Sequence, residues 1–481
     1  MNLADLAALF PIIVIAAASV IVLLIMAFYR SHKLTVILTL AGLVISFMML
    51  LAEASRLPRQ VTPLIILDRY AFFFMGLIIA ASFFVAVLSY GYLKARPGRR
   101  DEYYVLLLIA TLGSAVLAAS SHFVSFFLGL ELLSVSLYSL IAYQRSDERG
   151  NEAGLKYLVL AAASSSFLLF GMALVYTQMG TMQFALIAER AAASASSLLL
   201  LAGLALIIVG IGFKLALVPF HMWTPDVYEG APAPVGAFIA TVSKGAVFAL
   251  LLRYFTRLSF HDFPVVFIVF TSIAIASMFI GNLLALAQNN VKRILAYSSI
   301  AHLGYVLIAF LAGGAMAVTA ASYYLAAYFA TIMGAFGIIS MLSTSERDAD
   351  ALDEYRGLAW HRPWLAGMFT LVLLSLAGIP LTAGFSGKFF VITAGAGSSL
   401  WMLLVALAIS SSIGIYYYLR IITVLYAPPI PAGQGLPAAR PLLSLAGGVA
   451  LAVLALLLIW LGVSPAQLLG LIKATASQLI Y

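Results

Sequence analysis

The 481-residue chain is predicted to be an all-α, polytopic membrane protein of about fourteen transmembrane helices. Three observations predict this. Hydrophobic residues make up 64% of the chain and charged residues only 9%, against roughly 25% charged in an ordinary soluble domain. Apolar runs of roughly 20 residues recur along the whole length, each long enough to cross about 30 Å of hydrocarbon. The basic residues fall in short loops between those runs and favour alternate loops. The net charge of +8 therefore reads as helix orientation in a bilayer, not as a nucleic-acid surface. With no cysteine and no local cluster of His and carboxylates, disulfides, iron–sulfur ligation and cysteine-based zinc sites are excluded, and no redox centre of its own is expected.

The elements follow in order. Met1 to Ala8 carry no basic residue and Asp5 is acidic, so the first apolar run reads as a retained span over 9–28 and not as a cleaved signal. Arg30 and Lys33 separate it from the second span, 34–52. The third, 70–93, lies between Arg69 and Lys94, and the fourth and fifth, 103–120 and 122–143, end before Arg145. The sixth covers 156–178, and 181–190 reads as a short interfacial helix. The seventh, 198–228, is too long for one straight crossing and holds Lys214-Leu-Ala-Leu-Val-Pro219. Spans eight to eleven cover 232–256, 264–287, 293–313 and 317–342. The twelfth, 364–392, is again too long and contains Pro380-Leu-Thr-Ala-Gly-Phe-Ser-Gly-Lys388. The thirteenth is 398–426, a Pro/Gly-rich loop follows from Ala427 to Pro437, and 441–462 is the last span before a C-terminal tail.

An even number of spans places both termini on one side. Odd-numbered loops hold sixteen of the 26 Lys and Arg, while even-numbered loops, helix ends and the tail hold seven. The odd loops should face the cytoplasm and both termini the periplasm of a bacterial inner membrane. The remaining three cations, Lys214, Lys244 and Lys388, lie inside apolar segments, and of 18 acidic residues only Glu131 does. A charge at the bilayer centre costs about 2.5–3.5 kcal/mol or more, so such residues face a polar interior and usually serve transport. A structural ion pair with snorkelling lysines accounts for one glutamate and one lysine, not for three lysines.

Proline removes a helical hydrogen bond, and a broken helix at membrane depth usually lines a hydrated cavity. Two breaks five spans apart, in spans seven and twelve, favour a duplicated five-helix unit whose second copy is inverted because five is odd. His302, at mid-span, shares a helix face with Ser298 and Tyr305, and Tyr324, Tyr328 and Thr331 share another. These read as relay candidates. Ser134/Ser136/Ser139 and Ser164/Ser165/Ser166 read as close-packing surfaces. Since a nearby carboxylate shifts the proton affinity of a buried amine, Glu131 is expected to tune Lys214. Protons would load Lys214 and Lys244 from the cytoplasm, pass by His302 and leave outward from Lys388, with a changing Glu131–Lys214 distance as the coupled event.

Three long stretches carry a family resemblance: PFHMWTPDVYEGAPAPVGAFIATVSKGAVFALL (Pro219–Leu251), GNLLALAQNNVKRILAYSSIAHLGYVLI (Gly281–Ile308) and GIPLTAGFSGKF (Gly378–Phe389). The chain resembles the subunit N family of proton-pumping NADH-quinone oxidoreductase, respiratory complex I. The resemblance implies three helices in 1–102, a first five-helix antiporter-like repeat in 103–256, a second, inverted repeat in 264–426, and a loop, last helix and tail in 427–481. It also implies that Glu131, Lys214, Lys244 and Lys388 are the family's intramembrane charges. It places NADH, FMN, iron–sulfur clusters and quinone in other subunits, and other membrane-arm subunits, including antiporter-like ones, beside this chain. The alternative is a subunit of a cation/proton antiporter.

Overall fold

A computed structural model of the protein describes residues 3–258, 263–429 and 444–480. Among the described residues there are twenty α-helices: α1 Leu3–Phe28, α2 His32–Glu53, α3 Arg69–Lys94, α4 Glu102–Ala119, α5 Phe123–Ile141, α6 Glu148–Met179, α7 Phe184–Ala191, α8 Leu198–Leu215, α9 Trp223–Gly230, α10 Ala233–Phe238, α11 Lys244–Phe255, α12 Pro264–Leu286, α13 Val291–Ala312, α14 Gly314–Leu342, α15 Leu358–His361, α16 Pro363–Ala377, α17 Ala383–Gly397, α18 Trp401–Tyr426, α19 Leu445–Val463 and α20 Ala466–Ile480. A π-helical turn, Ile239–Ser243, joins α10 to α11 in one continuous helix. Among the described residues 13 helices are long and apolar enough to cross a membrane, so the chain is a multi-pass membrane protein.

The two over-long runs of the sequence are interrupted. Residues 198–228 form α8 and α9 around a break whose first residue, Ala216, has φ 60°. Residues 364–392 lie in α16 and α17, with φ 83° at Gly378 and φ 71° at Leu381 between them. Left-handed backbone at non-glycine positions is uncommon, and here it ends helices inside apolar sequence. The interfacial segment expected at 181–190 is α7, and the expected tail contains α20. An unforeseen two-stranded antiparallel hairpin, β1 Arg59–Thr62 and β2 Ile65–Leu67, caps one end of the bundle. The loop Ala427–Pro437 lies outside the described residues beyond Pro429, as does Arg440 of the charge bias.

Helix ends follow local chemistry. Asp68 caps α3 by accepting from the Ala71 amide at 2.7 Å, Asn290 caps α13 by accepting from the Arg293 amide at 3.0 Å, and Gly180 at φ 65° ends α6. Burial then sorts the helices. Ala233–Phe255 is fully buried along its apolar window, α13 and α14 are 94% buried, and α19 only 33%. Three helices thus form a core wrapped by more exposed ones. Close approach in the wrapping layer needs glycine: a Cβ at Gly171 on α6 would sit 2.7 Å from the Gly203 carbonyl of α8.

Candidate functional site

Intramembrane polar groups must be satisfied within the protein, and Lys214, Lys244 and Lys388 each donate to a serine hydroxyl. Lys214, in the last turn of α8 and 2% exposed, donates to Ser134 Oγ at 2.6 Å, and its ammonium lies 5.3 Å from the Tyr157 ring centre. Glu131 stands one turn before Ser134 on α5 and accepts from Ser165 Oγ of α6 at 2.6 Å. Among the described residues no ion pair within 4.0 Å joins Glu131 to Lys214; each is bonded to its own serine. Ser134 and Ser165 are therefore ligands of the buried charges, not merely the packing surface their clusters suggested. Ser136 and Ser166 bond back to their own helices.

Lys244 begins α11 directly after the π-helical turn and is 1% exposed. It donates to Ser299 Oγ of α13 at 2.6 Å, and Ser299 Oγ lies 3.3 Å from the Tyr228 hydroxyl of α9. One turn along α13, His302 is held on both sides. Its Nδ1 is 2.7 Å from Tyr324 OH of α14 and its Nε2 is 3.2 Å from Tyr418 OH of α18. Tyr418 OH in turn meets Ser298 Oγ at 2.5 Å. A small cavity lined by His302, Tyr324, Tyr328, Thr331 and Ser375 has room for about one water molecule. The Tyr328 hydroxyl, buried beside it, has no hydrogen-bond partner among the described residues.

Lys388, on α17, donates to Ala377 O at 2.8 Å, to Leu376 O at 3.2 Å and to Ser411 Oγ at 2.8 Å. It thereby closes the carbonyl end of α16, where a cation is favoured by the helix dipole. Gly378 leaves room for it: a Cβ there would come within 2.9 Å of Nζ. The ammonium is 5.4 Å from the ring centre of Tyr305, one turn beyond His302 on α13. Tyr305 OH accepts from Asn282 Nδ2 at 2.8 Å.

The faces read from the sequence thus divide. Ser298 and His302 converge on Tyr418, whereas Tyr305 turns to Asn282. Tyr324 joins His302, and Thr331 pairs with Ser375 at 3.0 Å. Sequence reasoning missed Ser299, Tyr228, Tyr418 and Ser411; a tyrosine or serine within an apolar run was the available signal, without a way to know its partner. It also counted Lys292, Arg253 and Asp68 as loop or helix-end charges, and all three are buried. Arg253 binds Asp68 through two nitrogens, at 2.7 and 2.9 Å. Lys292 donates to Asp348 at 2.9 Å and to the carbonyls of Glu229 and Ala231, and Arg96 reaches the same Asp348 at 2.7 Å. Burial would push the Asp348 carboxyl up, but Lys292 and Arg96 hold it below its ordinary range.

Comparisons agree with this architecture. The family described as NADH:quinone oxidoreductase/Mrp antiporter matches residues 120–414. NADH-quinone oxidoreductase subunit N of Nitrosospira multiformis is 55% identical over 493 residues, covering 99% of this chain and 97% of that one. A chain of respiratory complex I from Thermus thermophilus superposes with a TM-score of 0.81 at 33% identity, over 97% of this chain and all of that one. A chain of the Mrp complex from Dietzia sp. superposes at 0.88 with 21% identity, over 100% and 98%, a likeness of fold.

Proposed function

The chain belongs to the NADH:quinone oxidoreductase/Mrp antiporter family, in its subunit N branch, and from that premise we propose that its buried Glu131, Lys214, Lys244, His302 and Lys388 form the path by which it moves protons. As a member of that branch it is a proton-translocating subunit of the membrane arm of NADH-quinone oxidoreductase, beside other membrane-arm subunits. The redox groups, FMN, iron–sulfur clusters and quinone, belong in this reading to the partners. The chain contributes to the enzyme by translocation and not by electron transfer. Its three N-terminal helices, 1–102, flank two inverted five-helix units, 103–256 and 264–426, and 427–481 closes the molecule.

One observation carries the proposal. Helix α13 presents Ser299, His302 and Tyr305 over six residues, about 9 Å of helix, with Lys244 bonded at the first and Lys388 against the last. Two proton-binding amines thus stand at opposite ends of a buried line of hydroxyls and one imidazole, groups that both donate and accept. Protons load Lys214 and Lys244 from the cytoplasm, cross by way of His302, Tyr324, Tyr418 and a water beside Tyr328, and leave from Lys388 to the periplasm. Glu131 and Lys214, each on its own serine, are close enough in the fold for a rearrangement of Ser134 and Ser165 to change their separation.

Lys388→Met tests the release step. It keeps length and apolar character but removes the amine, leaving the Ala377 and Leu376 carbonyls without their donor, a loss of about 1–3 kcal/mol per group. The assembled complex should survive with fewer protons moved per electron in proteoliposomes. An unchanged ratio removes Lys388 from the path. The antiporter reading shares the fold with the Mrp likeness, and sodium-dependent transport by the chain's own complex would favour it.

A further inference from the structure

Four lysines are buried among the described residues, Lys214, Lys244, Lys292 and Lys388, and their surroundings sort them into two kinds. Lys292 is paired with the Asp348 carboxylate at 2.9 Å, and among the described residues no ring face approaches it. The other three have no carboxylate within 4.0 Å among the described residues. Each instead donates to a serine and faces a tyrosine. Nζ of Lys214 lies 5.3 Å from the ring centre of Tyr157, that of Lys244 5.3 Å from Tyr228, and that of Lys388 5.4 Å from Tyr305. Every site draws its lysine, serine and tyrosine from three separate helices: α8, α5 and α6 for Lys214, α11, α13 and α9 for Lys244, and α17, α18 and α13 for Lys388. One arrangement is thus built three times.

We propose that Tyr157, Tyr228 and Tyr305 are positioning residues for proton transfer, each holding one ammonium over its ring face where Lys292 has a carboxylate; this rests on the reading of Lys214, Lys244 and Lys388 as proton carriers. An aromatic face carries negative potential and attracts a cation within about 6 Å of its centre, most strongly where water is excluded. The three rings are 1%, 0% and 1% exposed, so water does not compete for the amine. The attraction acts on the charged amine alone. When the proton leaves, the ring remains an ordinary apolar neighbour and no buried charge is stranded. A carboxylate in its place would be left unpaired, which is strongly unfavourable in a buried site. Lys292 keeps such a partner and serves as a clamp, whereas the ring-faced lysines are free to gain and lose a proton. The ring and not the hydroxyl is the operative part. The Tyr305 hydroxyl is turned to Asn282 at 2.8 Å and the Tyr228 hydroxyl to Ser299 at 3.3 Å, contacts that fix the two rings beside their amines.

Stepwise fluorination tests this, since each fluorine drains negative potential from the ring face while nearly preserving its shape. Tyr305→Phe, and Tyr305 replaced by mono-, di- and trifluorophenylalanine, are assembled into the complete membrane complex, and protons moved per electron are measured in proteoliposomes. Tyr305→Phe should stay near wild type, the fluorinated rings should lose translocation in order of fluorine number, and Tyr305→Leu should fall to the level of Lys388→Met. The same series at Tyr157 and Tyr228 should show the same order. A Tyr305→Phe complex as impaired as Tyr305→Leu overturns the proposal, because the hydroxyl then carries the effect. A flat fluorine series overturns it too, whether or not Tyr305→Leu assembles. If Lys388→Met lowers the ratio while the fluorine series is flat, the ring assignment fails and the proton path stands; if Lys388→Met is also without effect, the reading of the path fails with it.

Discussion

Glu131 and Lys214 each hold a serine, and this division makes their relation testable at the level of single atoms. Ser134, which accepts from Lys214, stands one turn from Glu131 on the same helix, so a small rotation of α5 moves the amine's acceptor and the carboxylate together. Glu131→Gln preserves size and the hydrogen bond from Ser165 but deletes the charge. Proton translocation in the reconstituted complex should fall, while Glu131→Asp, which withdraws the charge by one methylene, should be milder. Glu131→Gln with Lys214→Met should be little worse than either alone, because groups that act as one unit are not additive. Assembly needs a separate check, since an uncompensated buried charge also destabilises the fold. If the two losses simply add in free energy, the charges have independent roles.

At the scale of elements, loops and half-helices are tied by buried ion pairs. Asp348 lies in the loop after α14 yet joins Arg96 at the end of α3 to Lys292 at the start of α13. Lys292 also satisfies the carbonyls that end α9, the half-helix bearing Tyr228. Asp348→Asn leaves Lys292 and Arg96 without their shared carboxylate, and removal of one partner from a buried pair costs about 3–5 kcal/mol. The melting temperature of the purified complex should drop. The pH dependence has a definite sign. Because the carboxyl is held below its ordinary 3.8, the clamp is complete above that pH and is lost only as the pH falls through the lower, folded value. The wild-type chain should therefore show no loss of this contribution between pH 5 and 8, and Asp348→Asn should be equally destabilised across that range. A melting difference that disappears at pH 5 refutes the assignment.

For the whole molecule, charge segregates by end. Lys292, Arg293, Arg96, Arg149 and their carboxylates gather at the end formed by the odd-numbered loops, while the hairpin of β1 and β2, with the Asp68–Arg253 pair beneath it, closes the other. The positive-inside rule assigns the first end to the cytoplasm. A reporter fused after Lys94 should then be cytoplasmic and one at the C-terminus periplasmic. The reverse pattern inverts every direction of proton movement given above, although the internal geometry stays the same.

The sequence by itself determined the membrane class and the span order, because the cost of polar groups in hydrocarbon acts on each segment locally and needs no knowledge of its neighbours. The prolines and glycines beside Lys214 and Lys388 marked the two interrupted runs for the same reason. Only the tertiary structure decided the partners. Nothing along the chain ties Lys244 to Ser299, 55 residues away, or His302 to Tyr418, 116 residues away; a serine in an apolar run can pack, bond back to its own turn or bind a charge. Likewise Lys292, Arg253 and Asp68 looked like solvated helix ends, and burial with an opposite charge from a distant segment made them clamps. The solvent a residue faces is written locally, whereas its partner is set by which helices come to pack together.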